Sequence, residues 1–279
     1  MAMRIDRHTV VDERIVAATD DFPRRVAALV DAEQEGGPSG IGWSIITGVL
    51  LDYVGARSVD DPDLSDLDVR LALRSAGETA TGAVMVAARP SGERLAVTVP
   101  YTGTGVSYGP DQEPVPPPAL MDWLTAWKLA WICRPSTFVP LTEARRVLPD
   151  AGSGDPPNRR LHLAQAEAMF HDQFMRPAEG AAVLDRALHG APDADAVLVA
   201  ELTALRSLLA RDRDGFHRDL AELLHRHRAA AQAADPGPAS LVPVGPLSLA
   251  CLAADDTGWD IDIESGYLPR SVLTRDWTR

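Results

Sequence analysis

Lysine, cysteine and aromatic residues are all scarce in this chain of 279 residues. Lys128 is the only lysine among 27 basic residues, so arginine carries almost all of the positive charge. The two cysteines, Cys133 and Cys251, lie far apart in apolar runs, which favours buried thiols and requires no oxidising compartment. Aromatic residues make up only 5% of the chain, and abundant alanine, leucine and arginine favour helices over sheets.

Long hydrophobic runs are also lacking. The longest, residues 41–51, is interrupted by Gly42 and Gly48 and is too short to cross a bilayer. Residues 1–10 are polar and do not contain the apolar segment of a secretory signal. We therefore expect a cytoplasmic protein that does not enter a membrane.

The net charge of −13 is unevenly distributed along the chain. Residues 1–120 carry 18 acidic and 10 basic groups, a balance of −8, whereas residues 121–240 carry 16 and 14, a balance of −2. A negative field repels nucleic acid and anionic membranes, and it attracts a basic partner. The same acidity also keeps a protein soluble, so both interpretations stay open.

The spacing of apolar residues predicts a mainly α protein. Residues 12–31 read as a first helix, which Pro23 is expected to kink or divide. Residues 43–53 line a second helix that Gly55 can end. The N-terminal part of the chain is therefore predicted to begin with short, separate helices.

A third helix and a small β-hairpin follow. The helix spans about residues 67–88, and Ser65 with Asp68 resembles a capping box at its start. Residues 95–99 alternate as a strand does, and residues 106–108 are expected to return as its partner. This hairpin is the one β element predicted with a pairing partner.

Proline marks the predicted internal boundary. Five prolines fall within residues 110–118, which must form an extended connector. The sequence thus predicts an N-terminal helical region with the hairpin over residues 1–110, a proline-rich connector over 111–118, and a helical-repeat-like region over 119–279. These regions are expected to form one continuous globular unit.

Tryptophans recur in the first helix after the connector. Trp123, Trp127 and Trp131 occupy positions i, i+4 and i+8 of a helix over residues 120–133. Such a stripe either forms a binding surface or packs into the core, and this spacing favours the core.

Four further helices are predicted at about residues 160–174, 179–189, 194–211 and 214–234. Short turns join them, which favours two antiparallel helix pairs similar to tetratricopeptide repeats (TPRs). Helix pairs of this kind commonly leave a groove that binds another protein.

Catalytic and metal-binding motifs are absent from the sequence. His217 and His225 share one helix face, but no HExxH motif or histidine pair at i, i+4 supports a zinc site. Residues 255–264 have a calcium-like composition without EF-hand spacing, and an acidic edge strand over 260–264 explains them better. Residues 103–109 resemble a dinucleotide-binding loop, but prolines follow instead of a helix. We therefore predict no catalytic residue, metal site or cofactor.

Three stretches carry a resemblance to a known family. Residues 7–10 (RHTV), 48–63 (GVLLDYVGARSVDDPD) and 247–273 (LSLACLAADDTGWDIDIESGYLPRSVL) are similar in order and spacing to the immunity protein 49 family. That family occurs beside polymorphic toxins and is abundant in filamentous actinobacteria. The resemblance extends over nearly the full length. Its most specific positions are Glu264, Ser265, Tyr267, Leu268 and Pro269.

The resemblance implies a protein that binds a cognate toxin and neutralises it by occlusion, without catalysis or a cofactor. A basic nuclease is the kind of toxin that an acidic surface suits. The candidate contact residues are Asp60, Asp61, Asp63, Asp66 and Asp68. Their alternative role is local, as part of a turn and a helix N-terminus. The signature residues likewise either contact the toxin or lock the C-terminal part of the chain onto the core, with Leu268 buried.

Two other function classes remain open. The first is a TPR-like adaptor or scaffold protein that binds partners through the concave side of helices 160–234. The second is a divergent enzyme that uses isolated groups such as His171, His217 and Asp214 in a helical pocket.

Overall fold

The structure is a computed structural model, and its described residues form two compact units. The described residues are 3–37, 39–112, 115–133, 139–148, 152, 155–173, 175–191 and 193–274. The larger unit contains the described parts of Thr9–Leu148, Pro236–Val244 and Pro269–Arg279. The smaller unit contains those of Met1–His8, Pro149–Asp235 and Gly245–Leu268.

Both units are built mainly from helices, which confirms the predicted fold class. The elements in chain order are β1 (Met3–Ile5), α1 (Asp12–Thr19), α2 (Phe22–Gly36), α3 (Gly40–Arg57), α4 (Leu67–Ala88), β2 (Leu95–Val99), β3 (Thr104–Tyr108), α5 (Leu120–Cys133), α6 (Val139–Ala144), α7 (Pro157–Gln173), α8 (Pro177–His189), α9 (Ala196–Leu209), α10 (Arg213–Ala233), α11 (Val244–Leu252), β4 (Ile263–Ser265) and α12 (Arg270–Thr274).

The first predicted helix is divided in two, as Pro23 suggested. Pro23 lies in the first turn of α2, where a missing backbone N–H costs no hydrogen bond. Phe22 beside it is fully buried and stacks on Tyr53 of α3, with ring centroids 3.7 Å apart. The break therefore places an aromatic contact at the start of α2.

Gly55 does not end α3, contrary to the prediction. The helix continues to Arg57, and a Cβ atom on Gly55 would lie 1.9 Å from the carbonyl oxygen of Pro238. Pro238 begins a short 3₁₀ turn, Pro238–Leu241, which Asp52 also holds by accepting a hydrogen bond from the Ala239 N–H at 3.0 Å. Glycine is therefore required at position 55 for close approach between two backbones.

The β-hairpin packs against α4. Val97 pairs with Val106 across antiparallel strands β2 and β3, and both side chains are buried. A Cβ atom on Gly82 would lie 2.3 Å from a methyl group of Val97, so the glycine lets the strand lie directly on the helix. The predicted hairpin is confirmed, and β3 begins two residues earlier than expected.

The tryptophan stripe of α5 forms part of the core of the larger unit. Trp123 and Trp127 are fully buried and Trp131 is 6% exposed. Trp123 also donates its indole N–H to the carbonyl oxygen of Leu141 at 2.8 Å, which ties α5 to α6. The prediction of core tryptophans is confirmed.

The predicted connector, residues 111–118, lies within the chain segment that forms the larger unit, and residues 113 and 114 lie outside the described residues. Helices on both sides of it, α4 and α5, pack against each other. Packing of these helices against each other does not show whether the regions before and after the connector fold independently. The division into regions 1–110 and 119–279 therefore stays a prediction.

In the smaller unit, α7 to α10 each pack against the next helix in the chain. Gly180 permits the first of these contacts, because a Cβ atom there would lie 2.9 Å from the Ala168 carbonyl oxygen. Gln165 of α7 donates to the buried carboxylate of Glu201 on α9 at 2.5 Å. This sequential packing is compatible with the TPR-like arrangement, which stays a prediction.

A two-stranded parallel sheet joins distant parts of the chain in the smaller unit. Strands β1 and β4 pair in parallel, with Arg4 opposite Glu264. The sequence predicted a strand at 260–264 but no partner for it, because β1 is short and lies some 260 residues away. The sheet therefore brings Arg7 and His8 into the same region as the signature residues Glu264, Ser265, Tyr267 and Leu268.

The segment Pro238–Thr257 is long and apolar enough to cross a membrane, with a mean hydropathy of 1.3. Within the protein 72% of it is buried. It comprises the 3₁₀ turn, α11 and a π-helical turn at Ala253–Thr257. The core helices of many proteins have this composition, so the burial accounts for the hydropathy.

Candidate functional site

The acidic segment, residues 60–68, links α3 to α4 and is held by an internal anchor. Leu64 is fully buried and adopts a left-handed backbone conformation with φ of 51°. Next to it, the Asp61 carboxylate accepts hydrogen bonds from the Ser65 hydroxyl at 2.9 Å and the Asp66 N–H at 2.8 Å. Burial alone raises the pKa of Asp61, but these hydrogen bonds and the charge of Arg70 outweigh it and lower that pKa. Asp61 therefore stabilises the segment in its ionised form.

Asp66 and Asp68 are held by partners on α3 and by the start of α4. Asp66 is the N-cap of α4 and accepts from the Asp68 N–H at 3.0 Å, so the predicted cap at Ser65 is displaced by one residue. Arg57 donates to Asp66 at 2.9 Å and lies 3.8 Å from Asp68. The Tyr53 hydroxyl donates to Asp68 as well. Three of the five candidate carboxylates thus have structural roles.

The other two candidates, Asp60 and Asp63, are exposed. Asp63 accepts a weak hydrogen bond from the Arg270 N–H at 3.4 Å, and the Ser271 hydroxyl donates to the carbonyl oxygens of Asp63 and Leu64. Helix α12, which directly follows the signature, therefore fixes the backbone of the acidic segment. Sequence reasoning missed this contact, since nothing in the local pattern links residues 63 and 271.

Two large apolar side chains are exposed within or beside the acidic segment. Leu67 is 75% exposed and Val59 is 48% exposed. Single exposed apolar residues are common on protein surfaces. These two, however, lie among carboxylates in a segment whose backbone is held by the hydrogen bonds described above. Apolar anchors with a charged rim are typical of protein interfaces. The arrangement suits binding to a protein better than any chemical step.

The signature residues lie mostly inside the protein. Tyr267 is fully buried, Leu268 is 4% exposed, and Glu264 is exposed. The Tyr267 hydroxyl accepts from the His8 N–H at 2.9 Å and forms a second hydrogen bond, of 2.6 Å, with His8 Nδ1. The Ser265 hydroxyl donates to the Ile5 carbonyl oxygen at 2.8 Å. These contacts attach the signature to the N-terminal strand.

We predict that Tyr267→Phe lowers the free energy of unfolding by about 1–3 kcal/mol, because it leaves the buried His8 N–H without its acceptor. Urea denaturation followed by circular dichroism measures the change. Unchanged stability would show that this hydrogen bond makes no net contribution.

The groups considered for a divergent enzyme have separate partners. His171 lies 3.3 Å from a carboxylate oxygen of Glu179, whereas both ring nitrogens of His217 lie 2.9 Å from the carbonyl oxygens of Arg213 and Asp260. Over the described part of the chain, no group of three or more His, Cys, Asp and Glu side chains is arranged to hold a metal ion.

Asp172 is a carboxyl group on α7 whose pKa is raised in the folded protein. Burial, followed by repulsion from Asp256, raises its pKa to about 6, although Arg211 opposes the shift. Arg211 itself forms a salt bridge with Asp256 at 2.6 Å, so its single positive charge is shared between Asp256 and Asp172. Asp172 is therefore ionised at neutral pH at a cost to stability.

We predict that Asp172→Asn stabilises the protein at about pH 7.5 by roughly 1–2 kcal/mol and has no effect near pH 4. Since folding raises this pKa, the stability that neutral Asp172 contributes is present below its unfolded pKa and is lost as the pH rises through about 6. Thermal denaturation across this range measures the difference. Asp193→Asn, at an exposed aspartate of the same unit, controls for the loss of one charge. Equal effects at both pH values would contradict the prediction.

The model of the family described as immunity protein 49 matches residues 155–272. This range contains α7 to α11, strand β4 and the first residues of α12. It confirms the resemblance inferred from the sequence for that part of the chain. No curated protein and no solved structure matches the chain.

Proposed function

We propose, from the match of residues 155–272 to the immunity protein 49 family, that this protein binds and neutralises a cognate toxin in the cytoplasm. The family match is the observation that carries the proposal. Neutralisation proceeds by occlusion: the protein covers the active surface of the toxin and performs no chemical step. No cofactor takes part.

The acidic segment is the proposed contact surface. Asp60 and Asp63 present charge, Leu67 presents an apolar anchor, and Asp61 and Asp66 hold the backbone in place. A surface that is fixed before binding loses little conformational entropy in the complex. Complementary charge also accelerates the encounter with a basic toxin such as a nuclease.

The acidic segment lies outside the matched range, but the two are physically connected. Arg270 and Ser271 belong to residues 155–272, and they form hydrogen bonds with Asp63 and Leu64. The conformation of the proposed contact surface therefore depends on residues of the family region.

Co-expression with the products of the adjacent genes tests the proposal. We expect one of them to arrest growth alone, to be harmless together with this protein, and to form a stable complex with it in size-exclusion chromatography. Titration of the purified toxin distinguishes occlusion from catalysis: inhibition by occlusion is complete at an equimolar ratio, whereas an enzyme acts substoichiometrically. If no adjacent product is bound or neutralised, the proposal fails.

A TPR-like adaptor is the alternative function, and the sequential packing of α7 to α10 favours it. An adaptor binds partners through residues 160–234, so charge reversal in the acidic segment leaves its partner binding unchanged. An immunity protein that uses the acidic segment loses toxin binding under the same change.

A further inference from the structure

A cluster of basic and aromatic side chains in the smaller unit is not used by the proposed function. The basic cluster consists of Arg7, His8, His227, Arg228 and Tyr267. Arg7 and His8 follow β1, His227 and Arg228 lie on α10, and Tyr267 follows β4. The ring centroids of His227 lie 5.2 Å from Tyr267 and 6.0 Å from His8.

His8 and Tyr267 form the buried floor of the basic cluster. The tyrosine hydroxyl and Nδ1 of His8 lie 2.6 Å apart and form a hydrogen bond. Burial, then the neighbouring charges of His227, Arg7 and Arg228, lower the pKa of His8. The floor is therefore neutral and polar, and its hydrogen bond fixes both rings.

The half-buried arginines supply the charge. Arg7 packs on the backbone of Gly266, where a Cβ atom would lie 2.7 Å from Nε of Arg7. Arg228 has a buried Nε that donates to no acceptor among the described residues. A buried guanidinium N–H without an acceptor is costly, and a charged acceptor relieves that cost best.

Positive charges act on both members of the floor. Arg7 and Arg228 both lower the pKa of Tyr267, although burial raises it more strongly. Burial also lowers the pKa of Arg7, so the site disfavours its own cations. An anion placed beside Arg228 removes this repulsion and supplies the missing acceptor.

We infer that the basic cluster binds an oxyanion, a phosphate or carboxylate group, with the guanidinium of Arg228 as its main donor. The planar guanidinium offers several N–H groups in the geometry that such an anion accepts. Half-burial of Arg7, His227 and Arg228 leaves part of the cluster open to a small anion. This inference does not depend on the identity of a toxin.

Anion titrations of the intact protein test the site. Sodium phosphate, sodium acetate and sodium chloride are compared at equal ionic strength by thermal denaturation and by NMR shifts of residues 8, 227, 228 and 267. We expect phosphate to stabilise the protein beyond chloride and to shift these signals saturably. Arg228→Gln should weaken phosphate binding about tenfold or more, the equivalent of one charge-assisted hydrogen bond.

Arg226→Gln is the matched control, because Arg226 lies on the same helix, is exposed and pairs with Glu222 at 2.6 Å. It should leave phosphate binding unchanged, and Arg228→Lys should restore part of it. Saturable binding of phosphate identifies a site for free phosphate, and saturable binding of acetate alone identifies a site for a carboxylate side chain. If chloride acts as strongly as both, or if the two Gln variants are equally impaired, the inference is wrong.

Discussion

Reversing the two exposed carboxylates of the acidic segment, by Asp60→Lys together with Asp63→Lys, is expected to weaken the complex with the basic toxin that we propose as its partner by about 100-fold or more. Two attractions become repulsions, so the association rate falls as well as the equilibrium affinity. The charges that hold the segment, those of Asp61, Asp66 and Asp68, are left in place. Only the weak hydrogen bond from Arg270 to Asp63 is lost, so the fold should change little.

Surface plasmon resonance at two salt concentrations measures this effect. The wild-type complex should weaken as salt increases, whereas the reversed variant should depend on salt much less or in the opposite sense. Asp31→Lys with Glu35→Lys is the matched control, since both residues are exposed on α2 and the change in net charge is the same. If both double variants lost the same affinity, the effect would be a general one of net charge. If Asp60→Lys with Asp63→Lys lost no affinity, the acidic segment would be excluded as the contact surface.

The helical elements were predictable because each depends on neighbours three or four residues away. The tryptophan stripe of α5 and the division at Pro23 follow from residue type and spacing alone. The pairing of β1 with β4 was not predictable, since three-residue strands carry little pattern and their partners are distant in sequence. Each of the two units is built from three separate segments of the chain, and this division was not predictable either, because it depends on contacts between residues that are distant in sequence.

The sequence identifies the residues of the acidic segment, but it does not show which of them are exposed and which are held by structural contacts. The sequence shows five aspartates near the start of a helix, and either a binding or a capping role fits them. In the structure Arg57 donates to Asp66 and Tyr53 donates to Asp68, which gives both aspartates a structural role. Both hydrogen bonds depend on how α3 packs against α4, which the local sequence does not show. The buried partners of Tyr267 were equally hidden, because His8 is 259 residues away.

Gly55→Ala is expected to destabilise the larger unit by about 3 kcal/mol or more, the upper part of the usual range for overpacking. The added Cβ atom would lie 1.9 Å from the carbonyl oxygen and 2.4 Å from the carbonyl carbon of Pro238. Backbone atoms cannot move aside as a flexible side chain can. Either α3 retreats from the 3₁₀ turn or the turn shifts, and the hydrogen bond from Ala239 to Asp52 is strained in both cases.

Gly48→Ala on the same helix is the control with the opposite expected sign. Gly48 is exposed, and a Cβ atom there would have no neighbour within 4 Å. Alanine should therefore stabilise α3 by about 0.5–1 kcal/mol through its higher helix propensity. Urea denaturation monitored by tryptophan fluorescence compares both variants with the wild type. If Gly55→Ala were as stable as Gly48→Ala, the close contact with Pro238 would not exist in solution, and position 55 would not require glycine.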